Sequence, residues 1–198
     1  MPRDASQTRR KIVDAASRLF YAEGVRAVSV DAVADKAGVT KRTLYAHFRS
    51  KDDLIAAYLE ARDQPNLALF AKWYEDAGGG PADRVEAIFA NLARAARGPK
   101  WKGCGFLRTT AELASLPGHP AVRIGQAHKK RFEAWLAARL DDAGFAEPHD
   151  LARQVVLLMD GAFSTMLLHR DPAYAEAAGR AAAVLIRQAD PVTCGSPS

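Results

Sequence analysis

The chain has 198 residues, of which 48 % are hydrophobic and 26 % are charged, a composition typical of soluble proteins with a substantial core. Its two cysteines, Cys104 and Cys194, are too few for a disulfide framework and lack the spacing of zinc ligands. No uncharged run approaches the ~20 residues that span a bilayer. We therefore expect a cytoplasmic protein with no membrane partner, no metal and no cofactor.

Positive charge is concentrated at the N-terminus. Residues 1–51 contain 11 Lys and Arg against 5 Asp and Glu, whereas the remaining residues contain 17 against 18. A local basic excess of this kind is the footprint of a module that binds a polyanion.

Apolar residues recur at helical spacing almost throughout, which predicts an all-α fold of nine or ten helices. The first helix should end at Gly24, and the second should begin after Ser29, a good N-cap. Gly38-Val39 predicts a tight turn, after which Thr40 caps a third helix. Ser50 then caps a fourth helix.

The fourth helix should stop or kink near Pro65, because proline cannot donate a hydrogen bond in a helix interior. Gly78-Gly79-Gly80 predicts a break, and residues 98–105 predict a loop. Further helices are expected after Pro81, around residues 107–114, around 124–136, at about 150–169 and at about 172–188.

The second and third helices fit a helix-turn-helix. A recognition helix enters the major groove by its N-terminal end, so its contact residues should cluster in the first two turns. Lys41 and Arg42 lie there, and Tyr45 follows one turn later. These three side chains could instead be solvated charges and a core tyrosine. Hydroxyls or N-terminal amides at Ser29 and Thr40 could contact the DNA backbone, as could His47 and Lys51 at the far end.

Residues 9–56, RRKIVDAASRLFYAEGVRAVSVDAVADKAGVTKRTLYAHFRSKDDLIA, resemble the TetR family of bacterial transcriptional regulators. The resemblance lies in the ordered elements Ala37-Gly38-Val39, Thr43-Leu44-Tyr45 and Lys51-x-x-Leu54, together with the preceding helices. It implies a homodimer with a DNA-binding domain at residues 1–51 and an effector-binding and dimerisation domain at 52–190. The composition of residues 191–198 separately predicts a disordered tail. Carried over by position, the DNA contacts are Thr40, Lys41, Arg42, Thr43, Tyr45, His47 and Lys51.

The helix predicted at about 150–169 is apolar on nearly all sides and must be buried on two of them. The last helix carries two stripes of small and apolar residues, one with Ala182 and one with Ala183. These patterns fit either an intramolecular core or a two-fold interface in which each protomer contributes two helices to a four-helix bundle. The family resemblance favours the interface.

An effector pocket is expected between the fifth and eighth helices. His128 lies on an apolar stripe, where it is either a core residue or a pocket residue. Asp160, on an otherwise apolar helix, either pairs with an Arg or His or faces the pocket. The other candidate lining residues are Phe89, Thr110, Phe132 and Phe163. Trp101, Trp135 and Met159 could also line a mostly apolar cavity or belong to the ordinary core.

The function that these patterns favour is a ligand-responsive repressor, released from a palindromic operator by a small-molecule effector. A hydrolase with Cys104 as nucleophile is a weaker alternative, since no catalytic motif surrounds that residue, and we expect no enzyme activity. A nonspecific DNA-packaging protein is a third reading, which the roughly neutral C-terminal region disfavours. A fourth helix that ended at Pro65 would also have little leverage to couple effector and operator.

Overall fold

The computed structural model describes residues 3–116 and 118–189. Over those two ranges the chain forms nine α-helices and no β-strand, which confirms the all-α prediction and the predicted number of helices. The predicted tail, 191–198, and Cys194 lie outside the described residues. The helices are α1 (Arg3–Glu23), α2 (Val30–Ala37), α3 (Lys41–His47), α4 (Lys51–Glu75), α5 (Pro81–Ala96), α6 (Gly105–Glu112), α7 (Pro120–Asp142), α8 (Pro148–His169) and α9 (Ala173–Gln188).

The chain divides into two compact units. The first extends to Asn66 and also includes Cys104–His128, and the second includes Leu67–Gly103 and continues from Lys129. The division therefore falls within α4, in the loop between α5 and α6, and within α7. The division of roles between residues 1–51 and 52–190 remains a prediction.

The first unit has a core built from the apolar stripes of α1, α2, α3 and the first half of α4. Ile12, Leu44 and Leu54 are fully buried in it. The ring of Phe20 packs edge-on against that of Tyr58, with 5.7 Å between ring centroids. The first helix ends as predicted, because Gly24 adopts a positive φ of 95° and its N–H donates to the Phe20 carbonyl.

Of the two outcomes predicted at Pro65, the stop is wrong and the kink stays a prediction. α4 runs without interruption from Lys51 to Glu75, so the apolar stripe after Pro65 belongs to the same helix. Pro65 removes one intrahelical hydrogen bond, the one that the Ala61 carbonyl would accept. Both residues are exposed, so water can meet that carbonyl, and apolar faces on either side of the proline keep the helix intact.

The second unit is held together largely by α5, α8 and α9. Phe89 of α5 is fully buried, and Gly179 of α9 packs against it so closely that a β-carbon there would lie 2.7 Å from the Phe89 Cβ. The buried stripe of α8 consists of Leu151, Ala152, Val155, Met159, Ala162, Phe163 and Met166.

α8 is long and apolar enough to cross a membrane by length and composition alone, with a mean hydropathy of 1.3 over its most apolar window. The same test is passed by core helices of soluble proteins. Asp160, in the middle of α8, forms an ion pair with Lys129 of α7, which fits a helix packed inside a protein.

Candidate DNA-binding site and effector residues

The turn between α2 and α3 has the geometry of a helix-turn-helix. Gly38 adopts the left-handed conformation (φ 67°, ψ 36°), and the N–H of Val39 donates to the Ala34 carbonyl at 3.0 Å. A side chain with a β-carbon is disfavoured in this conformation, which explains the glycine. Thr40 follows directly and caps α3, because its hydroxyl oxygen accepts the Thr43 N–H at 3.1 Å.

The hydroxyls of Thr40 and Thr43 lie 2.8 Å apart, within hydrogen-bonding distance. Only one of the two protons is needed for that bond. The pair therefore keeps one hydroxyl proton that can be donated outward, for example to a phosphate oxygen.

α3 presents its basic and aromatic side chains to solvent and buries the opposite face. Lys41 and Arg42 are exposed in the first turn, and Tyr45 is 45 % exposed one turn later. The reading of Tyr45 as a core residue is therefore wrong. Leu44 and Phe48 are 0 % and 3 % exposed and fix the helix against the first unit.

Lys41 forms an ion pair with an acidic residue of α2. Its Nζ atom lies 2.9 Å from a carboxylate oxygen of Asp31 in α2, and both side chains are more than half exposed. The hydrogen bond to Asp31 raises the pKa of Lys41 above its usual value of 10.5, so the side chain is cationic at neutral pH. The carboxylate competes with any phosphate for Lys41, which makes Asp31 a modulator of this surface.

Lys51, at the start of α4, is half-buried and bonds within the first unit. Its Nζ donates to the Arg26 carbonyl at 3.3 Å, and burial lowers the pKa of its ammonium below the usual value. Arg26 is itself fixed to α6, because its backbone N–H donates to a Glu112 carboxylate oxygen at 3.0 Å. A phosphate contact by Lys51 would use the ammonium protons that are not donated to the Arg26 carbonyl.

The two remaining predicted contacts lie at the start of α2 and at the end of α3. Ser29 is exposed and caps α2, accepting the Ala32 N–H at 3.1 Å, and this confirms the predicted cap. His47 is half-buried in the last turn of α3. All eight predicted DNA-contact residues thus lie on or beside the helix-turn-helix, while their contact with DNA remains a prediction.

Two of the predicted effector residues, Thr110 and His128, lie in the first unit. The His128 ring is 2 % exposed, its Nδ1 lies 2.7 Å from an Asp63 oxygen, and it stacks on Phe106 with 3.6 Å between ring centroids. Thr110 of α6 is half-buried, and its hydroxyl would lie 2.5 Å from a β-carbon added at Gly125 of α7. His128 is thus a core residue with a specific acidic partner.

The other four lie in the second unit. Phe89 packs on Gly179, and Phe132 packs on Phe70 and Trp135. Asp160 pairs with Lys129, whose ammonium lies 5.5 Å from the centroid of the Phe163 ring. Of the two alternatives for Asp160, pairing with an Arg or a His is wrong, because the basic residue that α7 places opposite it is a lysine, and the pocket-facing alternative stays a prediction. The effector role of these residues stays a prediction.

Three residues that pair with predicted site residues were not predicted from the sequence: Asp31, Asp63 and Lys129. Asp63 could have been found, because it follows Ile55 and Leu59 at helical spacing and so places an acid on an apolar stripe, as Asp160 does. Asp31 and Lys129 carry no such signal, since each is a charge on an amphipathic helix.

The helix-turn-helix region matches a family model described as bacterial regulatory proteins of the tetR family, over residues 12–58. The regulator SrpR of Pseudomonas putida is 42 % identical over 62 residues, which cover 31 % of this chain and 29 % of SrpR. AcrR of Shigella flexneri is 41 % identical over 89 residues, covering 45 % of this chain and 41 % of AcrR. The matched segments span less than half of either relative.

Two solved structures match nearly the whole chain. SCO4454, a TetR-family transcriptional regulator from Streptomyces coelicolor, is 31 % identical with a TM-score of 0.78, covering 92 % of this chain and 95 % of that one. A putative TetR transcriptional regulator from Streptomyces avermitilis is 30 % identical with a TM-score of 0.80, covering 93 % and 98 %. The chain therefore belongs to the TetR family of transcriptional regulators.

Proposed function

We propose that the protein is a homodimeric repressor that binds a palindromic DNA operator and is released from it by a small-molecule effector. The observation that carries the proposal is the construction of α3, whose exposed Lys41, Arg42 and Tyr45 stand on a face opposite the buried Leu44. No enzyme activity is proposed. The site of action would be the cytoplasm, where the operator DNA is.

DNA recognition follows from the chemistry of this surface. Arg42 has the planar fork of donors that pairs bidentately with guanine, and Tyr45 can contact base edges or a thymine methyl group. Lys41, Lys51 and the Thr40–Thr43 hydroxyl pair suit phosphate oxygens, which position the helix without reading sequence. Two such helices from a two-fold dimer would enter successive major grooves about one helical turn apart.

The dimer is supported by apolar stripes on α8 and α9 that the protomer leaves exposed. On α8, Leu157 and Leu168 are 67 % and 75 % exposed, and Gly161 lies between them on the same face. On α9, Ala177, Ala181 and Val184 form an exposed stripe, whereas Gly179, Ala182, Ala183 and Ile186 are buried within the protomer. Two helices with exposed apolar stripes from each protomer would make a four-helix bundle. This interface uses the outer stripe of α9, not the two stripes singled out from the sequence.

Release by an effector requires that the ligand prefer one conformation of the protein, and its differential affinity sets the size of the switch. α4 is the element suited to couple the two events. It contributes to both units as one continuous helix, and it begins directly after the recognition helix. The coupling route that a break at Pro65 would have weakened is therefore available.

The test is selection of bound fragments from the source genome with purified protein, followed by sequencing. We expect one enriched palindrome, with half-sites about one helical turn apart. Tyr45→Ala should weaken binding to that palindrome by ~1–3 kcal/mol and relax base preference within each half-site. Lys72→Ala is the matched control, because Lys72 is an exposed residue of α4 whose ion partner is its neighbour Asp76.

If no sequence is enriched, the proposal that the protein binds a specific operator is wrong, and so is the proposal that it is a repressor. Equal losses in Tyr45→Ala and Lys72→Ala would remove Tyr45 from the contact surface. Enrichment of single half-sites without a palindrome would contradict binding as a symmetric dimer.

A further inference from the structure

A cleft lies at the C-terminal end of α8, within the second unit, and we call it the Trp101 cleft. Its volume is about 210 Å³, and its walls include Pro99, Trp101, Met166, Arg170, Asp171 and Pro172. Of these residues, only Trp101 is among those that the sequence suggested for an effector pocket, and none belongs to the six principal candidates. The cleft is therefore a separate candidate for a ligand site.

The inner part of the Trp101 cleft is apolar, and its side chains pack against neighbouring residues. Met166 is 1 % exposed, and Trp101 is half-buried. The Trp101 ring lies nearly parallel to that of Phe163, with 6.5 Å between centroids and 11° between ring planes. A fixed indole beside a polarizable thioether suits a flat apolar or aromatic group.

The rim of the cleft carries the positive charge of Arg170, which forms no ion pair with the described residues. Over residues 3–116 and 118–189, no side chain or carbonyl lies within hydrogen-bond or ion-pair distance of the Arg170 guanidinium. The nearby acid Asp171 is engaged, because one of its carboxylate oxygens accepts the Ala173 N–H at 2.9 Å. The ion pair between Arg97 and Glu176, at 2.8 Å, neutralises two further charges close by in the chain.

Arg170 also has an unusual backbone. It ends α8 in the left-handed conformation (φ 57°, ψ 30°), and it is the one residue other than glycine with positive φ among those that the structure describes. Glycine or asparagine is the favoured residue at such a helix end. Strained positions of this kind concentrate at ligand sites.

We propose that the Trp101 cleft binds a small planar aromatic carboxylate. The ring lies against Trp101 and Met166, and the carboxylate forms a bidentate ion pair with Arg170. A cavity of about 150 Å³ accommodates benzene, whereas drug-sized ligands need about 300 Å³ or more, so this cleft fits one or two fused rings with a carboxylate. This inference deepens the proposed function. It rests on that function in one respect only, namely that the bound carboxylate is the effector.

The experiment is isothermal titration calorimetry of the full chain with 1-naphthoate, the neutral 1-naphthamide and the cationic 1-naphthylmethylamine. We expect naphthoate to bind most tightly. Arg170→Gly should reduce naphthoate affinity at least tenfold while raising the melting temperature, since glycine relieves the strained backbone. Trp101→Ala should weaken naphthoate and naphthamide alike. Arg180→Ala, which removes an exposed arginine of α9, is the matched control and should bind as the wild type does.

No heat with naphthoate, unchanged affinity in Arg170→Gly, or preference for the amine would each overturn the proposed site. The same ligand is then added to operator-bound protein. Release in the wild type but not in Arg170→Gly supports the effector role, whereas binding without release overturns that role. Because calorimetry needs no DNA, failure of the ligand site is distinguishable from failure to find an operator.

Discussion

At the scale of single residues, the recognition surface is shaped by a carboxylate as much as by its cations. Asp31 lies 2.9 Å from the Lys41 ammonium, on the surface proposed to meet DNA. A phosphate approaching Lys41 must displace or share this partner, and Asp31 itself repels the phosphate. We therefore expect Asp31 to limit the affinity of this surface for any duplex.

Asp31→Asn should strengthen binding to operator and non-operator duplexes alike. Freeing Lys41 for one more phosphate contact should steepen the plot of log affinity against log salt concentration by about 0.9. Fluorescence anisotropy across a salt series measures both quantities. Asp35→Asn is the matched control, an exposed acid one turn later in α2. An unchanged salt slope in Asp31→Asn would show that Lys41 makes no phosphate contact.

Tyr58 predicts a pH dependence of stability. Burial raises the pKa of its hydroxyl from 10.0 to about 12. Above pH 10 the unfolded chain loses this proton while the folded protein keeps it. The stabilising contribution is thus complete below pH 10 and is lost as the pH rises towards 12.

Tyr58→Phe should make stability less dependent on alkaline pH. Between pH 9 and pH 11 the wild type should lose roughly 1 kcal/mol of unfolding free energy through Tyr58, a loss that the variant escapes. Urea unfolding followed by circular dichroism at both pH values gives the difference. Parallel losses in the two proteins would mean that Tyr58 ionises in the fold as readily as in the unfolded chain.

At the scale of elements, α4 contains a proline that disfavours a helix locally, yet the helix is continuous in the folded protein. Pro65 lies in the interior of a 25-residue helix and leaves the Ala61 carbonyl without its intrahelical donor. Buried residues on both sides, Leu59 and Phe70 among them, hold the two halves of α4 in place. Packing therefore outweighs one missing hydrogen bond.

Pro65→Ala should stabilise the protein by roughly 1–2 kcal/mol, because the gain in helix propensity exceeds the entropy regained by the unfolded chain. Chemical denaturation at fixed protein concentration measures it. Gln64→Ala, one residue earlier and also exposed, controls for the loss of a surface side chain. Lower stability of Pro65→Ala would indicate that the proline sets a bend that packing requires.

At the scale of the whole molecule, the proposed two-fold assembly depends on the apolar faces that α8 and α9 leave uncovered. Glutamate at Leu157 or at Leu168 would bury a charge in the interface, which is costly without a partner. Either variant should raise the dimer dissociation constant at least tenfold, about 1.4 kcal/mol, in sedimentation experiments.

Leu116→Glu is the control for this experiment, because Leu116 is 51 % exposed and lies outside α8 and α9. It should sediment as the wild type does. Equal dissociation of all three variants would point to a general loss of folding, and a dimer that survives both α8 variants would place the interface elsewhere.

The sequence by itself determined the all-α fold, the ends and caps of the first three helices, and the family. Gly38 and Thr40 carry that information because a left-handed turn and an N-cap depend on a few neighbouring residues. The exposed placement of Lys41 and Arg42 also follows from local periodicity. These features rest on interactions between residues close together in the chain, which a sequence displays directly.

Only the tertiary structure decided the continuity of α4, the partners of the buried charges and the location of the Trp101 cleft. The Asp63–His128 pair joins residues 65 positions apart, and the cleft brings Trp101 together with Arg170. The sequence singled out two stripes of α9, whereas the exposed stripe is a third one, with Ala177, Ala181 and Val184, since alanine lies on several faces of this helix. Burial and long-range pairing depend on how whole helices pack, and helical periodicity does not encode which neighbour each face will meet.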